Sequence, residues 1–266
     1  MTNFQGSTAH ADHRILVVDF GAQYAQLIAR RVREANVYSE IVSHDLDAAG
    51  FAALEPSGIV FSGGPASVHV EGAPRIDPGV YDIGVPILGI CYGAQLIALQ
   101  RGGGVGRNDR GEYGRTRLRV TEPGLLLADA GIGDQQVWMS HFDAITEAPE
   151  GATVTASSLA APVATFEAPA RGLYGVQFHP EVHHTPCGQA LISRFVHQVC
   201  GCPGDWTTAS VVESSVDAVR EQVGSDRAIC GLSGGVDSAV AAALVYRAIG
   251  PQLTCVFVDT GLMRAG

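Results

Sequence analysis

The sequence predicts an α/β protein: a doubly wound, mostly parallel sheet with an antiparallel extension, followed by a second, incomplete α/β unit. Three observations carry this reading. Short β-branched runs alternate with helical apolar spacing from residue 14 onward, the stretch 112–178 holds strand-like runs with few helices between them, and a new strand–loop–helix–strand pattern starts after residue 210. With 266 residues, 46% hydrophobic and 17% charged, the chain is long enough for one domain plus part of another and too apolar for a disordered one.

The elements follow in order. Residues 1–13 are polar and small, with no apolar run of signal-peptide length, and read as a flexible tail. Residues 15–20 (ILVVDF) form a buried strand, and 23–35 carry apolar residues at 24, 27, 28 and 32, the spacing of one helical face. Residues 37–43, 58–62 and 86–90 are further short strands, each closed by Gly, Pro or Asp. Strands separated by helices imply parallel pairing with right-handed crossovers. In the middle stretch, 116–121, 136–140, 153–157 and 173–178 read as strands of the antiparallel extension. A helix at 188–200 closes a first domain spanning 14–201. Residues 202–210 combine Pro and Gly with a Thr able to cap a helix, and form the linker. The second unit, 211–266, contains a helix at 211–223, a strand at 228–232, a helix at 236–249 and a strand at 253–258.

Charge narrows the function. The net charge is −10, and all 17 basic residues are arginines. No basic stripe is present, so nucleic acid is not the expected partner. Free nucleotides remain open, because backbone amides at a helix N-terminus hold phosphate without net positive charge. The six cysteines are dispersed except for Cys200 and Cys202, a spacing too tight for the usual zinc pairs, and no metal site is expected. No run reaches the roughly 20 apolar residues of a membrane span, and the chain reads as cytoplasmic.

The chemistry concentrates in two places. Residues 86–95, PILGICYGAQ, place Cys91 between glycines where a strand turns sharply into a helix. A thiol at a helix N-terminus is shifted toward reactive thiolate, which makes Cys91 a candidate nucleophile; a buried structural cysteine is the alternative. His179 and Glu181, in YGVQFHPE, stand at a strand end where α/β sites collect: an imidazole can move the thiol proton, and a carboxylate can fix its tautomer. The glycines of FSGGP, Gly63 and Gly64, can turn a backbone N–H toward the same site and, with the N–H of Tyr92, stabilise an oxyanion; a simple turn is the alternative. The second place is the Gly-rich stretch 233–238 (Ser233, Gly234, Gly235, Val236, Asp237, Ser238), a loop between strand and helix with the donors for a phosphate chain but without the lysine of a Walker loop.

The combination of Gly-x-Cys-x-Gly with a later His-Pro-Glu resembles the class I (triad) glutamine amidotransferases over residues 14–200. That resemblance implies a flavodoxin-like fold and glutamine hydrolysis, with Cys91 attacking the side-chain amide, His179 protonating the departing ammonia, and Gln95, Ser140, His141 and Asp143 in the glutamine pocket. Within the class, the stretches 19–24, 62–67, 112–114, 137–141, 175–181, 231–238 and 254–261 are similar to the glutamine-hydrolysing GMP synthetases. By that likeness, 233–238 is the pyrophosphatase loop of an N-type ATP pyrophosphatase, ATP with Mg²⁺ activates XMP, and ammonia displaces AMP in purine nucleotide biosynthesis.

Two departures qualify the match. The family reads Ser-His-Gly-Asp where this chain has Ser140-His-Phe-Asp143, so Phe142 is expected to crowd glutamine if the position needs φ > 0. The family's XMP-binding and dimerisation part, which makes its members homodimers, has no counterpart here. The chain therefore reads as truncated, competent at most for the glutaminase half, with residues 256–258 partly exposed. The alternatives are a non-catalytic regulatory module and a free-standing glutaminase that feeds ammonia to a separate synthetase.

Overall fold

Residues 13–21, 24–64 and 67–257 are described in this computed structural model, with the side chains of 108–110 outside the description. Expectations for residues 1–12, 22–23, 65–66 and 258–266 therefore lie outside the described residues. The chain divides between Gly204 and Asp205 into two compact units.

The first unit is built on one nine-stranded sheet. Its strands are β1 (Arg14–Asp19), β2 (Tyr38–Ser43), β3 (Gly58–Phe61), β4 (Ile87–Ile90), β5 (Gly104–Val120), β6 (Gly133–Glu147), β7 (Thr153–Ser157), β8 (Thr165–Ala168) and β9 (Leu173–Val176), in the order β2-β1-β3-β4-β9-β8-β7-β5-β6. From β2 to β9 all pairings are parallel; from β9 to β6 all are antiparallel. The doubly wound sheet with an antiparallel extension is thus as expected, with one correction. Residues 173–178 were expected in the extension, yet β9 pairs parallel with β4 and completes the parallel half. An apolar run of four or five residues carries no sign of its partner's direction.

Side chains alternate between two cores, one on each face of the sheet. Ile15, Val17, Val60, Leu88 and Ile90 join one cluster, with the buried face of α1 (Ala25–Glu34) and with Leu191 and Ile192 of α4 (Gly188–Arg194). Leu16, Val18, Ile59, Phe61 and Ile87 join the other, with Phe51 of α2 (Ala48–Ala53) and with α3 (Tyr92–Gln100). The four apolar residues 15–18 of β1 are fully buried. At about 1.5–3 kcal/mol for each such side chain, burial offsets the roughly 1–2 kcal/mol per residue of backbone ordering.

Other differences have local causes. The expected strands 116–121 and 136–140 are pieces of the long ribbon β5–β6, whose alternating half-exposed residues weaken the apolar signal. Helix α2 was not anticipated: it is six residues long, buries only Phe51, and starts from the Asp47 side chain, which accepts the Gly50 N–H at 2.8 Å. Strand β8 escaped notice at four residues. The helix expected at 188–200 runs as α4 and then widens to a π-turn over Phe195–Val199.

The second unit contains α5 (Thr208–Val223), β10 (Ala228–Leu232), α6 (Val236–Ile249) and β11 (Leu253–Phe257), with β10 and β11 paired in parallel. Thr207 caps α5 in a reciprocal capping box with Ser210, so the helix starts three residues before the expected 211. Its small core is Val216, Ala248 and Ile249, while Val256 and Phe257 are exposed. No helix among the described residues is long and apolar enough to cross a membrane.

Candidate functional site

Cys91 is the hinge of the β4–α3 turn. Its backbone has φ 50°, a strained value for a residue with a side chain, and it is one of three such non-glycine residues among those described. The strain is held from both sides: the Cys91 N–H donates to the Val176 carbonyl at 2.8 Å, and the Gly93 N–H to the Ser62 carbonyl at 3.1 Å. Both flanking glycines are required by contact. A Cβ on Gly89 would meet the Ala94 nitrogen at 2.5 Å, and one on Gly93 would meet the Phe61 carbonyl oxygen at 2.5 Å. The thiol therefore stands above the carboxyl end of the parallel strands, at the N-terminus of α3.

His179 and Glu181 follow β9 on its neighbouring strand end. The His179 Nδ1–H donates to Glu181 Oε1 at 2.7 Å, with His179 4% and Glu181 0% exposed. That contact leaves Nε2 as the nitrogen facing Cys91. Burial disfavours the imidazolium, but the charge of Cys91, its hydrogen bond and the Glu181 carboxylate outweigh it and raise the His179 pKa to about 11. The turn is clamped to β6: the His179 N–H donates to the Trp138 carbonyl, Thr185 Oγ1 donates to the His179 carbonyl at 2.7 Å, and the Trp138 N–H donates to Thr185 Oγ1. Arg31 Nε donates to the Glu181 carbonyl at 2.8 Å. Thiol, imidazole and carboxylate in this sequence can attack an acyl carbon and deliver a proton to the leaving nitrogen.

Gly63 lies against this pair; a Cβ there would stand 3.4 Å from His179 Cε1 and 4.0 Å from Cys91 Cβ. Gly64 packs on the Tyr92 ring, whose hydroxyl is turned away to the Pro74 carbonyl. Among the described residues, the N–H groups of Gly63 and Gly64 donate to no backbone carbonyl, and the Tyr92 N–H opens α3.

A pocket of about 510 Å³ opens beside Cys91, lined also by Gly64, Tyr92, Gln95, Ser140, His141 and Asp143. All four residues expected around glutamine thus meet at one cavity, although not in one way. Gln95 is buried and its Nε2 donates to the Asp143 carbonyl at 2.6 Å. Ser140 presents its carbonyl 3.9 Å from Cys91 Sγ. His141 is buried with Nε2 3.3 Å from Glu112 Oε2, and burial lowers its pKa against the pull of that carboxylate. Phe142 corrects an expectation: its φ is not positive, and its ring turns to the pocket's outer edge, 49% exposed, so it does not strain the backbone there.

Gln177 was missed. It is fully buried, its Nε2 donates to Cys91 Sγ at 3.7 Å, and its Oε1 accepts from the Ile145 N–H and Gln95 Nε2 at 3.3 and 3.4 Å. A glutamine between Val176 and Phe178 in an apolar strand was the available signal.

In the second unit, residues 233–238 join β10 to α6. Gly234 has φ 80°, Gly235 is the N-cap of α6, and Asp237 lies in its first turn. The loop is tied by Ser238, whose Oγ accepts from the Ser233 N–H at 3.2 Å and donates to the Gly235 carbonyl at 3.0 Å.

The strained nucleophile turn, the His–Glu pair and the doubly wound sheet define a class, and comparison agrees: the glutamine amidotransferase class-I model matches residues 16–199. The chain belongs to the class I glutamine amidotransferase family. Its similar curated relatives are named GMP synthase [glutamine-hydrolyzing]: one from Parafrankia sp. is 58% identical over 98% of this chain and 49% of its own length, and one from Mycobacterium leprae is 58% identical over 95% and 47%. The chain spans about half the length of these relatives. A solved structure from Thermoplasma acidophilum, of a protein provisionally assigned as one subunit of a GMP synthase, is 34% identical with TM-score 0.63, covering 71% of this chain and 94% of its own. A second family model, NAD synthase, matches residues 209–258.

Proposed function

We propose that this chain carries the glutamine-hydrolysing half of a GMP synthase. The observation that carries the reading is Cys91 on its strained turn, faced by an imidazole that Glu181 holds at 2.7 Å. Cys91 Sγ attacks the side-chain amide carbon of glutamine, and the developing oxyanion is met by N–H groups of Gly63, Gly64 and Tyr92. His179 gives its proton to the departing nitrogen, releasing ammonia and leaving a thioester; it then takes a proton from water, which attacks the thioester and frees glutamate and the thiol. Gln95, Ser140, His141 and Asp143 position the substrate.

The likeness to full-length GMP synthases supports the wider role: ATP activates XMP, ammonia displaces AMP, and pyrophosphate is released. Residues 233–238 suit the polyphosphate of ATP, since an α6 N-terminus, a φ-positive glycine and two serine hydroxyls converge there, and Asp237 adds one carboxylate beside it. Mg²⁺ would be held chiefly by the nucleotide's phosphates. We further propose that the two units correspond to an amidotransferase domain over 14–201 and part of an ATP pyrophosphatase domain over 211–266, joined by a linker at 202–210, in a cytoplasmic enzyme whose full-length form is a homodimer. Ammonia release from L-glutamine, lost in Cys91→Ala, tests the glutaminase reading; ATP- and XMP-dependent GMP formation, when a polypeptide extended to the relatives' length is supplied, tests the wider one.

A further inference from the structure

The pocket beside Cys91 carries at its mouth an arginine to which the proposed reaction assigns no part. Arg107 and Asp143 are the one arginine and one carboxylate among the described lining residues. They are register partners on β5 and β6, and both line the cavity. Arg107 makes no ion pair with a described carboxylate, Asp143 included. Its guanidinium instead lies over the Phe142 ring, 5.8 Å from the centroid. Phe142 is in turn fixed edge-on to Tyr113 at 5.2 Å, and a Cβ on Gly111 would strike both rings within 2.8–2.9 Å. An aromatic pair thus holds a guanidinium at the mouth.

Resting on the glutaminase reading, we propose that Arg107, braced by Phe142, is a specificity-determining residue that binds the substrate's free α-carboxylate, while Asp143 faces its α-ammonium. A free amino acid is a zwitterion at neutral pH, and the mouth offers one group of each sign, with the thiol in the same cavity. A guanidinium matches a carboxylate in a two-pronged, charge-assisted contact, and stacking on a ring keeps the fork in place at little entropic cost. Phe142 is therefore a platform for recognition, not an obstruction. The site then selects free glutamine over glutaminyl groups whose α-carboxylate is amidated or in a peptide bond.

The test is calorimetric binding to the Cys91→Ala chain of L-glutamine and of L-glutamine α-amide, which keeps the side-chain amide and loses the carboxylate. Adding Arg107→Gln is expected to weaken glutamine about 10- to 100-fold, the range of a lost charge-assisted pair, and the α-amide less than about 3-fold. Adding Phe142→Gly is expected to weaken glutamine about 2- to 5-fold, as for an exposed cation–π contact, again sparing the α-amide. Equal weakening of both ligands, no weakening of either, or no glutamine binding with Arg107 intact overturns the proposal. Ammonia release from the unaltered and Cys91→Ala chains is measured in parallel: if the substitution leaves it unchanged, the glutaminase reading falls, while the binding data still decide Arg107.

Discussion

His179 Nδ1 and Glu181 Oε1 stand 2.7 Å apart, both side chains withdrawn from water, so the carboxylate fixes which imidazole nitrogen is left for Cys91. Replacing Glu181 by Gln keeps the volume but removes the charge and lets the ring take the wrong tautomer. Glutamine hydrolysis in Glu181→Gln is expected to lose about 10²- to 10⁴-fold in kcat with a KM changed less than about 3-fold. A loss expressed mainly in KM would mean that Glu181 shapes the pocket instead.

The charge on His179 has a consequence for stability. Its pKa is raised from 6.5 to about 11 on folding, so the fold favours the protonated ring. The stabilisation is full below pH 6.5, declines above it, and is lost as pH rises through about 11. The urea midpoint of the unaltered protein relative to His179→Gln should therefore shrink steadily from about pH 6 through 8 to 10. A difference independent of pH would show that the ring is not charged in the fold.

At the turn itself, Gly93→Ala places a methyl 2.5 Å from both the Phe61 carbonyl oxygen and Phe61 Cβ, where only backbone movement can relieve the clash. We expect a loss of at least about 1–3 kcal/mol, read as a lower urea midpoint, together with near-complete loss of glutamine hydrolysis as Cys91 is displaced. Normal activity in that variant would contradict the turn geometry.

Stability also rests on a carboxylate that does not line the pocket. Glu167 is buried and accepts the Leu125 and Leu126 N–H groups, each at 2.9 Å. Glu167→Ala leaves both donors unpaired and should cost about 2–4 kcal/mol by urea denaturation, with glutamine KM unchanged. A loss under about 0.5 kcal/mol would mean that water replaces the carboxylate.

Much of this was legible because close packing and backbone chemistry leave local marks. The glycines around Cys91 are there since a Cβ would strike Ala94 or Phe61, and a reader meets them as Gly-x-Cys-x-Gly. The apolar runs 15–18 and 87–90 announce strands buried on both faces. What was not legible depends on distant partners. The parallel pairing of β9 with β4, the role of Gln177 as a brace under the thiol, and the stacking of Arg107 on Phe142 across two strands are set by register, which no single segment encodes. Phe142 shows the limit most clearly: as a letter it looked like an obstruction in a glycine's place, whereas in the fold its ring stands at the pocket edge.

The most direct test of the account is ammonia release from L-glutamine by the 266-residue chain and by its Cys91→Ala variant, followed by trapping of a glutamyl adduct on the unaltered protein in acid-quenched mass spectrometry. The account predicts release by the unaltered chain, at least about 10³-fold less in the variant, and a thioester mapped to the peptide containing Cys91. Equal release from both proteins, or an adduct on another residue, would contradict it.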